Sequence, residues 1–407
     1  HRLHEQSSLV EGGADGTFRG DDALMFYGVG PARWDWDPAE GDYFWRENLY
    51  THDNIYWIDL HAPAEAARPQ QLDGSVGRAP SAIVDFHRHR RHDEKERTIL
   101  LQIFQLNSGY EWFWESFNRN ARNFSFDLPH VVEEATVDLR VGFWGWTDEV
   151  HTFEINWNGE RVGVATFLGE DHREFSFQAE QGPLEGFNQV GVIHRSRGLT
   201  RLDWLEIEFL QQLDASDGVL AFNWTDAADG GAVIDSTTGA VTQFELHGFD
   251  TAHGAPRVFR VSGDLQELAD FDYEPASGTV RFQDWFDGRG QPPRYLALQT
   301  PMQQEVIRFI IDTQQPLLET TVGADNLLIT HEDFADAAKR LADWRNEDRR
   351  FGDPITTKVV DVQDIYDAFS GGLVDPMAIR SFVHHAYNHW EPRPSFVTLF
   401  GDGTYDY

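Results

Sequence analysis

Apolar and polar positions alternate with a period of two over most of the chain between Ser81 and Gln211, the repeat of half-buried β-strands. Thr136 to Trp146 (TVDLRVGFWGW), His151 to Trp157 and Arg161 to Phe167 carry the alternation most clearly, and Phe175 to Phe177, Gln189 to Ile193 and Leu202 to Phe209 continue it. Asn158-Gly159 separates two of these runs and supplies the two positive-φ residues that a type I′ hairpin turn needs. Successive short strands with no helical pattern between them predict an antiparallel, jelly-roll-like β-sandwich over residues 1–215. A second strand-rich stretch from Val219 to Ile311, interrupted by Asp-Gly, Gly-Gly and Pro-Pro, predicts a further β region within 216–320, either a smaller domain or an extension of the first.

Beyond Thr320 the period changes to that of an α/β unit spanning 321–407. Leu327-Leu328-Ile329 reads as a buried strand. Thr330 followed by Asp333 gives a capping-box pattern opening a helix to about Arg345, with Phe334, Ala337, Ala338, Leu341 and Trp344 on its apolar face. Val359-Val360 is the next strand, and Ile365 and Phe369 mark a short helix stopped by Gly371-Gly372. Asp375-Pro376 combines an N-cap with proline in the first helical position, opening a helix to Trp390. Phe396 to Phe400 is a third strand, followed at once by Gly401-Asp402-Gly403. Strand, helix, strand, helices, strand predicts a parallel sheet with crossovers.

Charge and composition narrow the functional classes. The chain has 33 Lys+Arg against 68 Asp+Glu, a net charge of −35, and its only lysines are Lys95, Lys339 and Lys358. Nucleic acid is excluded as a partner, because a phosphate backbone needs a basic footprint. Such acidity with so little lysine points to adaptation to high salt or to an acidic secreted protein. With 41% hydrophobic residues there is material for several cores, yet no run approaches the roughly 20 apolar residues of a membrane helix. Cysteine is absent, which excludes disulfides, Cys-ligated zinc and a thiol nucleophile among these residues. The chain opens on His1 and closes in a loop-like Gly-Asp-Gly-Thr-Tyr-Asp-Tyr, from which a fragment of a longer protein is expected.

Candidate chemistry is sparse. His87, His89 and His92 are the tightest histidine cluster, but the arginines between them would repel a cation, and an exposed strand end or loop is the expected setting. His385 and His389 have the i,i+4 spacing of helical zinc ligands, yet they flank the apolar face, so packing is expected instead. Asp35, Asp37, Asp42 and Glu47 resemble a calcium loop with the wrong spacing, since Ala39 and Arg46 occupy ligand positions; a hairpin around Pro38 to Gly41 fits better. Fourteen tryptophans could stack on sugars, but most alternate within strands as core residues do. No nucleophile elbow, phosphate loop, zincin or dinucleotide motif is present. Hence no catalytic, cofactor or metal residue is assigned in this chain.

The segment from 324 to 407 resembles the start of the catalytic domain in the gingipain family of cysteine peptidases, in particular its type IX secretion system cell-surface sortases. The matching stretches are NLLITHEDF (Asn326 to Phe334), DVQDIYDAFSGGLVDPMAIRSFVHHAYNHW (Asp361 to Trp390) and VTLFGDGTYDY (Val397 to Tyr407). FYGVGP (Phe26 to Pro31), Trp34, Asn48-Leu49-Tyr50 and SGYEWF (Ser108 to Phe113) are similar to the region preceding the peptidase, although Tyr110 stands where an arginine is usual and Trp114 where a glycine is usual. The resemblance implies a caspase-like domain of which only the first half is present, with the catalytic His and Cys downstream. It implies protein or peptide substrates, type IX secretion components as partners, an extracellular or outer-membrane-associated bacterial location, and calcium as a cofactor open to the parent alone; the acidic, lysine-poor composition adds the expectation of a halophilic bacterium. Gly401, Asp402 and Gly403, beyond the carboxyl end of a strand, are the expected active-site rim. The alternative is a secreted adhesion or carbohydrate-binding β-sandwich with a noncatalytic peptidase-like domain.

Overall fold

The structure is a computed structural model describing residues 5–12, 17–20, 22–59, 67–99, 112–224, 240–306, 308–311, 316–350 and 352–402. Ser108 to Glu111 and Gly403 to Tyr407 of the motifs above lie outside the described residues. No helix is long and apolar enough to cross a membrane, among the described residues.

The strand alternation builds a two-sheet sandwich. One sheet runs Glu115–Phe117, Thr200–Gln212, Val137–Gly145, His172–Ala179, with Phe86–Glu94 also paired to Thr200–Gln212; the other runs Ala121–Leu128, Gly186–His194, Val150–Trp157, Glu160–Leu168. All these pairings are antiparallel. Strand Ala121–Leu128 shows why they pack: it buries Phe124, Phe126 and Leu128 and exposes the residues between them. Phe143 of one sheet stacks on Phe153 of the other at 4.2 Å, and Trp157, Val190 and Leu139 fill the layer around them. The Asn158-Gly159 turn has φ of 48° and 91°, as expected.

A second sandwich follows, with sheets of five and four strands around Phe222, Phe244, Phe282 and Tyr295. Two of its strands come from early in the chain: Gln70–Asp73 pairs in parallel with Gln266–Ala269, and Ala82–Val84 with Ala240–Leu246. The chain therefore enters the second unit before it builds most of the first. Strand Phe86–Glu94 starts at that junction, so His87 is 2% exposed and packs against Phe222 at 6.1 Å, and His89 against Phe209 at 5.3 Å. This corrects the expected exposed strand end; burial brings His87 down to about 3 and His89 to about 4, so both stay neutral.

The third unit is a parallel sheet in the order Thr357–Asp361, Asn326–Thr330, Phe396–Phe400, packed with α1 (Ala335–Glu347), α2 (Val362–Ser370) and α3 (Pro376–His389). The central strand is buried at every position, as a strand covered on both faces must be. Asp361 caps α2 by accepting from Gln363 N, Asp375 caps α3 by accepting from Met377 N, and Gly371 ends α2 at φ 70°. α1 departs from expectation. Thr330 remains in the strand, its hydroxyl donating to Phe400 O at 3.2 Å, and His331 Nδ1 accepts from Asp333 N to open a 3₁₀ turn before α1 begins at Ala335. The buried face of α1 is Ala338 and Ala342, whereas Phe334 and Trp344 are about half exposed. Small residues let the helix lie close to its strands; the larger ones are turned to the rim, where Arg350 covers Trp344 at 4.8 Å.

Candidate functional site

Among the described residues, two gatherings of polar side chains bear on function. The first is the carboxyl edge of the parallel sheet, where ligands bind in open α/β sheets. It collects His331 after the central strand, Asp361 at the end of its neighbour, and Gly401-Asp402 after Phe396–Phe400. Gly401 and Asp402 are exposed, and Gly403 lies outside the described residues. Strand Phe396–Phe400 is the edge of the sheet, and Phe396, Val397 and Leu399 are 55%, 43% and 66% exposed. His385 and His389 sit together on α3 at 4.6 Å, His385 also meeting Phe369, with no third metal ligand grouped with them among the described residues.

The second place is a cleft of about 620 Å³ on the outer face of the first sandwich. The hairpin Arg33–Asp37/Asp42–Arg46, which forms as expected in place of a calcium loop, lays Trp45 over the sheet and ends at Glu47. His92 and Glu94, two apart on strand Phe86–Glu94, point into the cleft on the face opposite His87 and His89. The His92 ring stacks on Trp45 at 4.9 Å and 11°, and its side chain is 5% exposed. Its Nδ1 meets Glu206 Oε1 at 3.0 Å and its Nε2 meets Glu94 Oε2 at 3.2 Å. Arg140 Nη1 holds the other oxygen of Glu206 at 2.9 Å, and Trp45 Nε1 donates to Glu47 Oε2 at 2.6 Å.

A bulge completes the wall. Strand Val137–Gly145 loses register with Thr200–Gln212 between Val141 and Phe143, so that Asp203 and Trp204 both face Gly142. Both line the cleft, although strict alternation would send them to opposite faces. Gly142 is required here, because a Cβ would come within 2.6 Å of the Trp204 ring. Asp203 in turn holds His172 at 3.3 Å, and that hydrogen bond raises the His172 pKa.

The cleft is acidic beyond what its cations balance. Burial alone would lower His92, but hydrogen bonds to Glu206 and Glu94 and their charges hold it at about 9. Burial, then the charge and hydrogen bond of Glu94, pushes Glu96 up to about 8; burial also raises Glu94, aided by Asp203 and Glu47. Sequence reasoning named His92 and Glu47 but not Glu94, Glu96, Asp203 or Glu206. One signal existed: apolar positions 202, 205, 207 and 209 slip by one residue at the bulge.

Comparison with known proteins bears on the third unit and on the whole fold. Residues 319–407 match the model of peptidase family C25, the gingipain family. No curated protein matches the chain in sequence. Among solved structures, dimeric latent PorU from Porphyromonas gingivalis matches 99% of this chain with a TM-score of 0.69 and 17% identity. The chain spans 37% of the length of that PorU chain. A family 35 carbohydrate-binding module from Clostridium thermocellum matches 32% of this chain and 98% of its own, with a TM-score of 0.21 and 14% identity. The multidomain β-rich fold is thus shared with PorU.

Proposed function

We propose that these 407 residues are the N-terminal part of a secreted or cell-surface cysteine endopeptidase of the gingipain family, a type IX secretion sortase or a general protease. The observation that carries the reading is the parallel sheet within the C25 match, whose last strand leaves apolar side chains on an open edge. Further strands pairing there would bring the catalytic His and Cys to the same carboxyl edge as Asp402. In that parent the imidazole takes the thiol proton, the thiolate attacks the scissile carbonyl, and the amine leaves to give a thioester that water or an acceptor amine resolves. Asp402 would stand at the rim, orienting the imidazole or the substrate through its charge. The carbohydrate-binding alternative is less well supported, because the Trp45 face in the sandwich cleft is already taken by His92.

The test uses the purified parent protein. Peptide cleavage is expected to be abolished by a thiol-alkylating reagent and lowered at least about tenfold, some 1.4 kcal/mol of barrier, by Asp402→Asn at unchanged Tm. Cleavage that survives alkylation overturns the cysteine mechanism; cleavage unchanged in the variant leaves Asp402 a turn residue.

A further inference from the structure

We propose that Glu47, His92 and Glu94 form a binding site for a first-row divalent transition metal ion. This inference stands on the first sandwich and is independent of the peptidase reading. One ligand atom from each of the three residues lies within 4.8 Å of the others. His92 and Glu94 are fixed by their strand, with Nε2 and Oε2 3.2 Å apart. On a common ion with bonds of about 2.1 Å, that separation subtends about 100°, close to the tetrahedral angle. Glu47 follows the hairpin strand, where rotation of its side chain can close the remaining distance.

What distinguishes this group from a patch of acids is the shell behind it. Metal-bound histidines characteristically give their second nitrogen to a carboxylate, which fixes the ring and its tautomer. Here Nδ1 is given to Glu206, Glu206 is clamped by Arg140, and the ring is held flat against Trp45, so Nε2 is the nitrogen turned toward Glu94 and Glu47, and an incoming ion would displace to solvent the proton that Nε2 shares with Glu94. Glu47 has its own anchor in the Trp45 indole N–H. The two arginines lining the cleft are engaged elsewhere, Arg46 with Asp35 and Arg140 with Glu206 and Glu174. They do not neutralise Glu47 and Glu94, and Asp203 adds to the same field.

The donor set selects the ion. One imidazole with two carboxylates suits Zn²⁺ or a neighbouring first-row ion, whereas Ca²⁺ takes six to eight oxygens. The open side of the cleft leaves room for water as the remaining ligand.

Zn²⁺ titrated calorimetrically into the 407-residue chain in a non-coordinating buffer is expected to bind with one equivalent and a dissociation constant of about 10 μM or tighter. Glu47→Gln and His92→Gln should each weaken that binding at least about tenfold, and His389→Gln on α3 should not. Co²⁺ at the same site should give the visible absorption of a tetrahedral ion and lose it in both variants. Glu47→Gln retains an oxygen for the Trp45 N–H and lies at a partly exposed strand end, so it reads out the site even if His92→Gln does not fold. Binding no tighter than about 1 mM, or binding unchanged in a folded Glu47→Gln protein, overturns the proposal. Ca²⁺ displacing Zn²⁺ at equal concentration overturns the choice of ion.

Discussion

His194 is kept neutral by the groups around it. The Arg119 backbone N–H donates to its Nδ1 at 3.1 Å, its Nε2 lies 2.8 Å from Ser196 Oγ, and its ring stacks on Phe153 at 4.5 Å in the sandwich core. A second proton would have to displace the Arg119 donor. Burial, reinforced by the charges of His151 and Arg119, brings its pKa down to about 4. Unfolded histidine titrates near 6.5, so below that pH the unfolded chain takes up a proton that the folded chain refuses. The neutral ring's contribution is therefore complete above about pH 6.5 and is lost as the pH falls toward about 4. We expect the urea midpoint to fall between pH 7 and 4.5, and His194→Asn, which retains an acceptor for Arg119 N, to flatten part of that slope. His87 and His89 are depressed in the same sense and keep the rest. Parallel pH profiles for the two proteins would remove His194 from the account. Single residues are where the sequence was least legible: the HRHRRH run could be seen, but not that His87 and His89 are buried while His92 faces Glu206, more than a hundred positions away.

At the level of elements the sequence says far more, because period and caps are local. The hairpin at Asn158-Gly159, the Asp375-Pro376 helix start and the αL stop at Gly371 all form where the local chemistry puts them. The face of α1 could not be read so easily, since alanines at 338 and 342 are buried for closeness while bulkier Phe334 and Trp344 stay outside. Strand Phe396–Phe400 poses the sharpest question of this scale, as an edge strand with apolar residues exposed on both faces invites pairing. In the 407-residue chain Leu399→Ala should cost no more than about 0.5 kcal/mol, because Leu399 is 66% exposed. In the longer parent proposed above, where a neighbouring strand and helix would cover it, the same substitution should cost about 2–5 kcal/mol. Denaturant unfolding of both proteins measures the difference; an equally small cost in the parent would mean that the sheet ends at this strand.

The assembly of the whole molecule was hard to foresee for a related reason, distance along the chain: the acidic cleft draws on residues 47, 92–96, 172–174 and 203–206, and the second sandwich takes strands from both ends of the first. Charge, by contrast, is a whole-molecule property legible from composition. At −35 the chain repels itself when folded, and its arginines are largely placed to blunt that: Arg88 bridges Glu208 and Asp138, Arg257 bridges Glu11 and Glu267, and Arg140 bridges Glu174 and Glu206. Salt weakens these partly buried pairs, and it also weakens the repulsion among the unpaired carboxylates. The two effects oppose each other, but repulsive pairs outnumber attractive ones when 68 acids face 33 bases. Repulsion acts over a Debye length of about 10 Å at 0.1 M and only about 3 Å at 1 M, so screening should win. We expect Tm to rise with NaCl up to the molar range, and to rise with KCl as well, since screening depends on ionic strength and not on the cation. Chloride salts are the proper choice, because sulfate would stabilise by exclusion from any protein surface. A Tm that is flat or falls across both series would show that the ion pairs dominate, and the high-salt reading of this composition would fall with it.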